Sequence, residues 1–193
     1  MSNPVTASER RPAARERLLS TASRLFYSEG IRAVGVDRIM AEAEIARGTF
    51  YRHFEGKDDL VRAYLEATDL GIREQVDAVR EELSDPSAFI QAVAHGISQE
   101  VCGAGFRGCP FINAAAEYPE RDSAVHQAVL THRAWFRDIL ADAFARMGAA
   151  DAARSADAMV AMRDGAMVAG YLSDPQKANE TLLHGVTALL AAA

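Results

Sequence analysis

Residues 46–54 read Ala-Arg-Gly-Thr-Phe-Tyr-Arg-His-Phe and form the most informative stretch of this 193-residue chain. Phe50 and Phe54 are four residues apart, so on a helix both side chains point to the same side. The other side chains of this stretch are mostly hydrogen-bond donors, and they face elsewhere. The pattern predicts a short helix that packs one face into a core and presents the other to a polar partner.

Two more short helices are predicted immediately before this stretch. The first carries apolar residues at helical spacing and ends at Gly30, and the second carries a similar stripe over residues 36–43. A tight break at Glu44-Ile45 separates the second helix from residues 46–54. Three short helices in so few residues, the last two joined by a tight turn, are typical of a helix-turn-helix motif. In that motif the last helix enters the DNA major groove, and Gly48 would let the phosphate backbone approach closely.

The rest of the chain has the helical period as well. Asp85-Pro86 and Asp174-Pro175 are helix starts, because Asp caps free amides and Pro fits the first helical position. A long helix is predicted over 122–147, and the stretch 152–172 is apolar nearly all round. The fold is therefore predicted to be all-α, with about nine helices. We expect a disordered tail over 1–12, a helix-turn-helix head over 13–58 and a larger helical bundle over 59–193.

Composition excludes several classes of protein. Hydrophobic residues make up 49% and charged residues 25%, which is ordinary globular usage. No apolar run reaches the ~20 residues of a membrane span, and no signal peptide is visible. Two cysteines in a chain without a visible export signal favour a reduced cytoplasm over a disulfide scaffold. The chain is therefore expected to be cytoplasmic and not associated with a membrane. Residues 1–65 have a net charge of +2 and the remainder −8, so the head is the part suited to a polyanion.

Residues 17–65 resemble the DNA-binding head of the tetracycline-repressor (TetR) family of bacterial regulators. The resemblance rests on the string Gly48-Thr49-Phe50-Tyr51-Arg52-His53-Phe54-x-x-Lys57-x-x-Leu60, preceded by Leu25-Phe26 and Gly30. It implies a sequence-specific transcriptional regulator that binds a double-stranded DNA operator. It also implies that Tyr51, His53 and Lys57 hold phosphates. The remaining expected DNA contacts are Arg47 and Arg52 on bases, Arg38 on the backbone, and Gly48 and Thr49 on the same surface.

Two positions depart from the family pattern. Glu44 stands where the family usually has Gly, so either Glu44 takes a positive φ or the turn differs. Gly35 stands where Thr or Ser is common, which predicts a weak N-cap.

The resemblance also implies that the bundle over 59–193 forms a homodimer through its last two helices and binds a small-molecule effector. The predicted dimer residues are Val160, Met167, Tyr171, Leu182, Val186, Leu189 and Leu190. Apolar walls with a few polar groups suit a small-molecule site. The predicted effector-binding residues are Phe89, Val93, Phe106, Phe111, Asn113, His132, Trp135, Phe136, Met159, Met162 and Tyr171.

These observations together predict a ligand-responsive repressor that a small molecule releases from a palindromic operator. No catalytic residue, metal ligand set or cofactor is predicted, so the chain is not expected to be an enzyme. Three alternatives stay open at this point. They are a regulator that senses oxidants through Cys102 and Cys109, a helical enzyme with an accessory DNA-binding head, and an architectural DNA binder without a ligand.

Overall fold

The computed structural model describes residues 7–193, with side chains from residue 13 onward. Over these residues the chain forms nine helices and no strand, so the all-α prediction is confirmed. The predicted tail over 1–12 falls partly outside the described residues, and α1 already includes residues 7–12. The helices are α1 Ala7–Glu29, α2 Val36–Glu42, α3 Arg47–Phe50, α4 Lys57–Glu82, α5 Pro86–Val101, α6 Pro110–Glu117, α7 Ala124–Met147, α8 Ala152–Leu172 and α9 Pro175–Ala192.

The chain divides into two compact units. The head unit contains the chain up to Thr68 together with Asn113–Ala128, and the body unit contains Asp69–Ile112 and Val129–Ala193. This division differs from the predicted boundary after residue 58, because the end of α6 and the start of α7 belong with the head. Helices α4, α6 and α7 each begin in one unit and end in the other.

In the head unit, α1, α2 and α3 pack against one another around a small aromatic and aliphatic core. The Phe50 and Phe54 rings lie 5.8 Å apart, and the Phe26 ring lies 5.8 Å from that of Tyr64 at the start of α4. All four side chains are buried. The i, i+4 spacing of the two phenylalanines therefore marks the inner face of the motif, as predicted.

The ends of the first two helices follow the sequence signals. Gly30 ends α1 at φ +93°, and its N–H donates to the carbonyl of Phe26. Gly35 precedes α2 without a side-chain cap, which confirms the weak N-cap. Glu44 has φ +55°, so this chain keeps the turn and places a carboxylate residue in the left-handed region. An L-residue other than Gly in that region destabilises the folded chain by about 1–2 kcal/mol.

Glycine at this turn is expected to stabilise the protein. Glu44→Gly should raise the free energy of unfolding by about 0.5–1 kcal/mol, since relief of the left-handed strain outweighs the added chain entropy. Glu44→Ala removes the same charge and keeps the strain, so it should change stability by less than ~0.5 kcal/mol. Denaturant unfolding of both variants measures the difference. An equal shift in the two variants would assign the effect to charge.

In the body unit, α5, α8 and α9 pack closely around buried apolar residues. Asp85 accepts a hydrogen bond from the Ala88 N–H, and Asp174 accepts from Gln176 and Lys177, so both predicted caps are formed. Gly170 on α8 faces α5, where an added Cβ would lie 2.4 Å from Val101 Cγ1. The close approach of these two helices thus requires glycine.

Helix α8 is not buried on all sides within one protomer. Met159, Ala166 and Met167 are buried, whereas Val168, Tyr171 and Leu172 near its end are exposed. One apolar side of α8 therefore remains at the surface. No helix within residues 7–193 is long and apolar enough to cross a membrane.

Candidate nucleic-acid interface

On helix α3 and at its end, two consecutive side chains point in different directions, one into the protein and the other to the solvent. Phe50 is 0% exposed, whereas Tyr51 is 51% exposed, and the two rings meet edge to face at 5.1 Å. Arg47, Gly48 and Arg52 are exposed as well, and Thr49 is half-buried. The predicted polar surface is thus present on one short element.

The helix itself is shorter than the predicted 46–54. It ends at Phe50, and residues 51–53 continue as a tight turn in which Arg52 N–H donates to Thr49 O and His53 N–H to Phe50 O. The tighter i, i+3 bonds bring the chain round to α4, so the side chains of 51–53 leave the helix axis.

Two arginines on this surface make different contacts. The Arg47 guanidinium lies 5.8 Å from the Tyr51 ring centroid, and its Nη1 is 3.9 Å from Asp37 Oδ1, with both ends well exposed. An exposed pair at this distance contributes little to stability, so Arg47 is available to a partner. Arg52 Nη2 donates to Thr49 Oγ1 at 2.7 Å.

Arg38 forms ion pairs within the head unit, and 47% of its side chain remains exposed. Its guanidinium donates to both carboxylate oxygens of Glu29, at 2.6 and 2.8 Å, and to Glu42 Oε1 at 2.9 Å. The two carboxylates raise the pKa of Arg38. In turn, the hydrogen bond from Arg38 lowers the pKa of Glu29, and hydrogen bonds from Arg24 and Arg38 lower the pKa of Glu42. The backbone contact of Arg38 with DNA stays a prediction. In the protein without DNA, its donors face carboxylates from α1 and α2.

Lys57 and His53 lie where the turn meets α4. Lys57 Nζ donates to the Arg32 carbonyl at 3.4 Å, and partial burial lowers its pKa. His53 is half-buried. An added Cβ on Gly48 would meet no atom within 4 Å, so packing inside the protein does not require glycine there.

A second polar cluster lies in the body unit. His132 is buried, and its Nδ1 lies 2.7 Å from Asp69 Oδ1, while Asp69 Oδ2 accepts from Arg73 Nε at 2.7 Å. The Phe111 ring stacks on the imidazole with centroids 3.7 Å apart, and Arg73 lies over the Trp135 ring at 4.5 Å. Burial lowers the pKa of His132, and Asp69 opposes this in part. A neutral imidazole beside a carboxylate donates through Nδ1 and keeps Nε2 as an acceptor.

Acid is expected to destabilise the protein through His132. Because its pKa is lower in the folded chain, the unfolded chain binds more protons once the pH falls below about 6.5. Stability should therefore decrease on acidification, and His132→Gln should make the decrease smaller. Melting temperatures at pH 7.5 and 5.5 measure this, with His95→Gln as an exposed control. Identical pH dependence of the wild type and His132→Gln would contradict the assignment.

The predicted effector residues divide into four groups in the structure. Contacts between aromatic rings bring together Phe111, His132, Trp135 and Phe136. Phe89, Val93 and Met159 are core residues, and Phe106, Asn113 and Met162 are half-buried. Tyr171 is an exposed residue on α8 with Arg107 over its ring.

The charged partners of this cluster, Asp69 and Arg73, are not among the residues predicted from the sequence. Their i, i+4 spacing on α4 was the available signal.

A buried arginine lies near the same cluster. Arg163 donates to Asp164 Oδ1 at 2.9 Å and to Cys109 Sγ at 3.2 Å, and Asp164 also accepts from Arg133. Both cysteines are free thiols, Cys109 buried and Cys102 exposed. Cys109 is thus part of a packed polar network, whereas Cys102 lies at the surface.

The predicted dimer residues are only partly at the surface. Met167, Leu182 and Val186 are buried within the protomer, so they cannot form a contact surface for a partner as predicted. Tyr171 is exposed, and Val160, Leu189 and Leu190 are half-buried. A groove of about 840 Å³ runs between α8 and α9, and the small residues Gly165, Ala169 and Gly185 line part of it.

Comparison with known proteins gives two matching family models. Residues 18–64 match the bacterial regulatory proteins of the tetR family, and residues 86–184 match the C-terminal domain of LmrA/YxaF-like transcriptional regulators. A crystal structure of a TetR-family transcriptional regulator from Streptomyces coelicolor is 50% identical with a TM-score of 0.90, and the match covers 93% of this chain and 95% of that one.

Two curated relatives come from Bacillus subtilis. The HTH-type transcriptional regulator LmrA is 31% identical over 117 residues, which are 60% of this chain and 62% of that protein. The uncharacterized HTH-type regulator YxaF is 34% identical over 79 residues, 40% of this chain and 41% of that protein. The matched stretches thus span less than two thirds of these relatives. None of these relatives supports the alternatives of an enzyme or a thiol-based sensor.

Proposed function

Because this chain belongs to the TetR family of bacterial transcriptional regulators, we propose that it is a repressor that binds a palindromic operator as a homodimer. A small molecule bound in the body unit releases it from the DNA. The family is one of DNA-binding regulators, and the particular contacts are proposed from the resemblance together with the exposure of these side chains in this chain.

The proposal rests on the outward face of α3 and of the turn that follows it. Phe50 anchors the element, so Arg47 and Tyr51 project from a rigid support and not from a free loop. Arg47 suits a bidentate contact with guanine in the major groove. Arg52 is a second candidate for a base contact. Tyr51, His53 and Lys57 suit phosphate oxygens, with Gly48 and Thr49 lying against the backbone.

The surfaces of α8 and α9 support the homodimer. Exposed Tyr171 and half-buried Val160, Leu189 and Leu190 provide apolar area, and glycine and alanine in the α8–α9 groove allow a partner helix to approach. A two-fold dimer uses the same surface on both protomers, which also suits a palindromic site.

The cluster around His132 supports the effector site. Phe111, Trp135 and Phe136 form apolar walls, and His132 adds one oriented acceptor held by Asp69. Few polar groups within apolar walls are the usual composition of such sites. A coupling of ~1–3 kcal/mol between effector and operator is enough for control.

Selection from a pool of random DNA duplexes tests the proposed function. The wild type should enrich one inverted repeat. An Arg47→Ala, Tyr51→Ala double variant should enrich none, because both side chains lie on the outward face of α3 and its following turn, the surface that we propose reads the DNA (the reading surface). The selected duplex then serves to screen small molecules for release. If a folded wild-type protein enriches no sequence at low salt, operator binding is rejected.

A further inference from the structure

Two chain segments far apart in sequence cap each other within the head unit. Helix α1 ends at Gly30, which leaves the next two amides outside the helix. The Ile31 N–H donates to Glu117 Oε1 at 2.9 Å and the Arg32 N–H to Glu117 Oε2 at 2.5 Å. In return, Arg32 Nε and Nη2 donate to the Glu117 carbonyl at 3.2 and 2.8 Å. That carbonyl lies at the last residue of α6, where no helical donor is left to satisfy it.

The next residue extends this contact to α4. Tyr118 OH donates to Asp58 Oδ1 at 2.8 Å in the first turn of α4, and the Tyr118 carbonyl lies 2.7 Å from His126 Nδ1 at the start of α7. We call the contacts of Glu117 with residues 31 and 32 and of Tyr118 with Asp58 the clamp. All five of its bonds involve a charged group, and such bonds are stronger than neutral ones.

The position of the clamp in the chain gives it a role beyond stability. Residues 7–68, which include α1, α2 and α3, continue into the body unit only through α4. Residues 113–128 continue into the body unit through both α6 and α7. The clamp joins these two parts of the head unit by hydrogen bonds. It therefore ties the residues that carry α3 to α6 and α7, in addition to their own continuation through α4.

A dimeric regulator must hold its two reading helices about 34 Å apart to reach successive major grooves. One added base pair moves a half-site by about 3.4 Å and rotates it by roughly a tenth of a turn. We propose that Glu117, with Tyr118, is a positioning residue that restricts the operator to one half-site spacing. This inference rests on the proposed function, since it requires a dimer on an inverted repeat.

The test uses the selected inverted repeat with its spacer shortened or lengthened by one and two base pairs. The variants are Glu117→Ala with Tyr118→Phe, and Tyr118→Phe alone in case the double variant folds poorly. Glu120→Gln removes a carboxylate three residues away, in the same connection, and serves as the control. Affinity for a duplex with one half-site reports whether the reading surface is intact.

The wild type and Glu120→Gln should prefer one spacer by about tenfold or more, since a misplaced half-site loses its base contacts. The double variant should reduce this preference to less than about threefold and keep its half-site affinity within about twofold. Tyr118→Phe should lie between the two. Amide hydrogen exchange at Ile31 and Arg32 should be faster in the double variant, independently of DNA.

The other outcomes separate the two proposals. A wild-type spacing profile in the double variant, with faster exchange at both amides, overturns the positioning role and leaves the proposed function standing. Equal weakening on every spacer and on the single half-site also overturns it, because that result indicates a merely structural role. Failure of the wild type to enrich an inverted repeat overturns the proposed function, and this inference with it.

Discussion

Replacing Tyr51 with alanine is expected to weaken operator binding by about 10- to 100-fold, the loss of a hydrogen bond to a charged phosphate at ~1.5–3 kcal/mol. Its ring is half exposed and packs edge to face on Phe50, so its hydroxyl is held away from the core. Removing the ring leaves no buried cavity, and the melting temperature should change little. Titration of the selected duplex with the wild type and the variant measures the loss.

Arg47→Ala should change the sequence specificity of DNA binding, although Arg47 lies on the same surface as Tyr51. If Arg47 reads guanine, its loss relaxes specificity at one base pair by ~1–3 kcal/mol, and other positions stay selective. Arg154→Ala removes the same charge from an exposed position on α8 and should leave affinity unchanged. An Arg47→Ala protein that binds all sequences uniformly more weakly would assign Arg47 to a phosphate instead.

Phe50→Ala should mainly lower the stability of the protein, whereas Tyr51→Ala should mainly weaken DNA binding, although the two residues are adjacent. Phe50 is fully buried against Phe54 and Tyr51. Truncating a buried Phe costs about 3–5 kcal/mol, because the lost burial adds to the cavity that remains. Denaturant unfolding followed by circular dichroism measures this loss.

Tyr51→Ala is the matched control for that measurement and should shift the free energy of unfolding by less than ~0.5 kcal/mol. If both variants were equally destabilised, the division of α3 into an inner and an outer face would be wrong. If Phe50→Ala kept wild-type stability, the head unit could not depend on the core described here.

Much of the helix-turn-helix was readable from local signals. Gly30 ends α1 as expected, because glycine adopts positive φ without strain, and the Asp-Pro pairs start α5 and α9. The unusual Glu44 was predicted either to take a positive φ or to change the turn, and it takes the positive φ. The outward position of Tyr51 follows from the inward positions of Phe50 and Phe54.

Other features depend on partners from elsewhere in the chain. Arg38, which is predicted to contact DNA, also donates twice to Glu29 on α1. Met167 and Tyr171 are four residues apart on α8 and both were assigned to the dimer surface, but the first is buried and the second exposed. Apolar character alone does not tell which neighbour covers a side chain.

The sequence by itself determined the helices, the turn chemistry and the two faces of the reading element. These depend on backbone hydrogen bonds and side-chain periodicity within a few residues, and those are local properties. Only the tertiary structure decided that Asp69 orients His132 and that Glu117 caps residues 31 and 32, contacts that join residues 63 to 86 positions apart. Such contacts depend on how the helices pack, because a carboxylate can accept from any donor that the fold brings within reach.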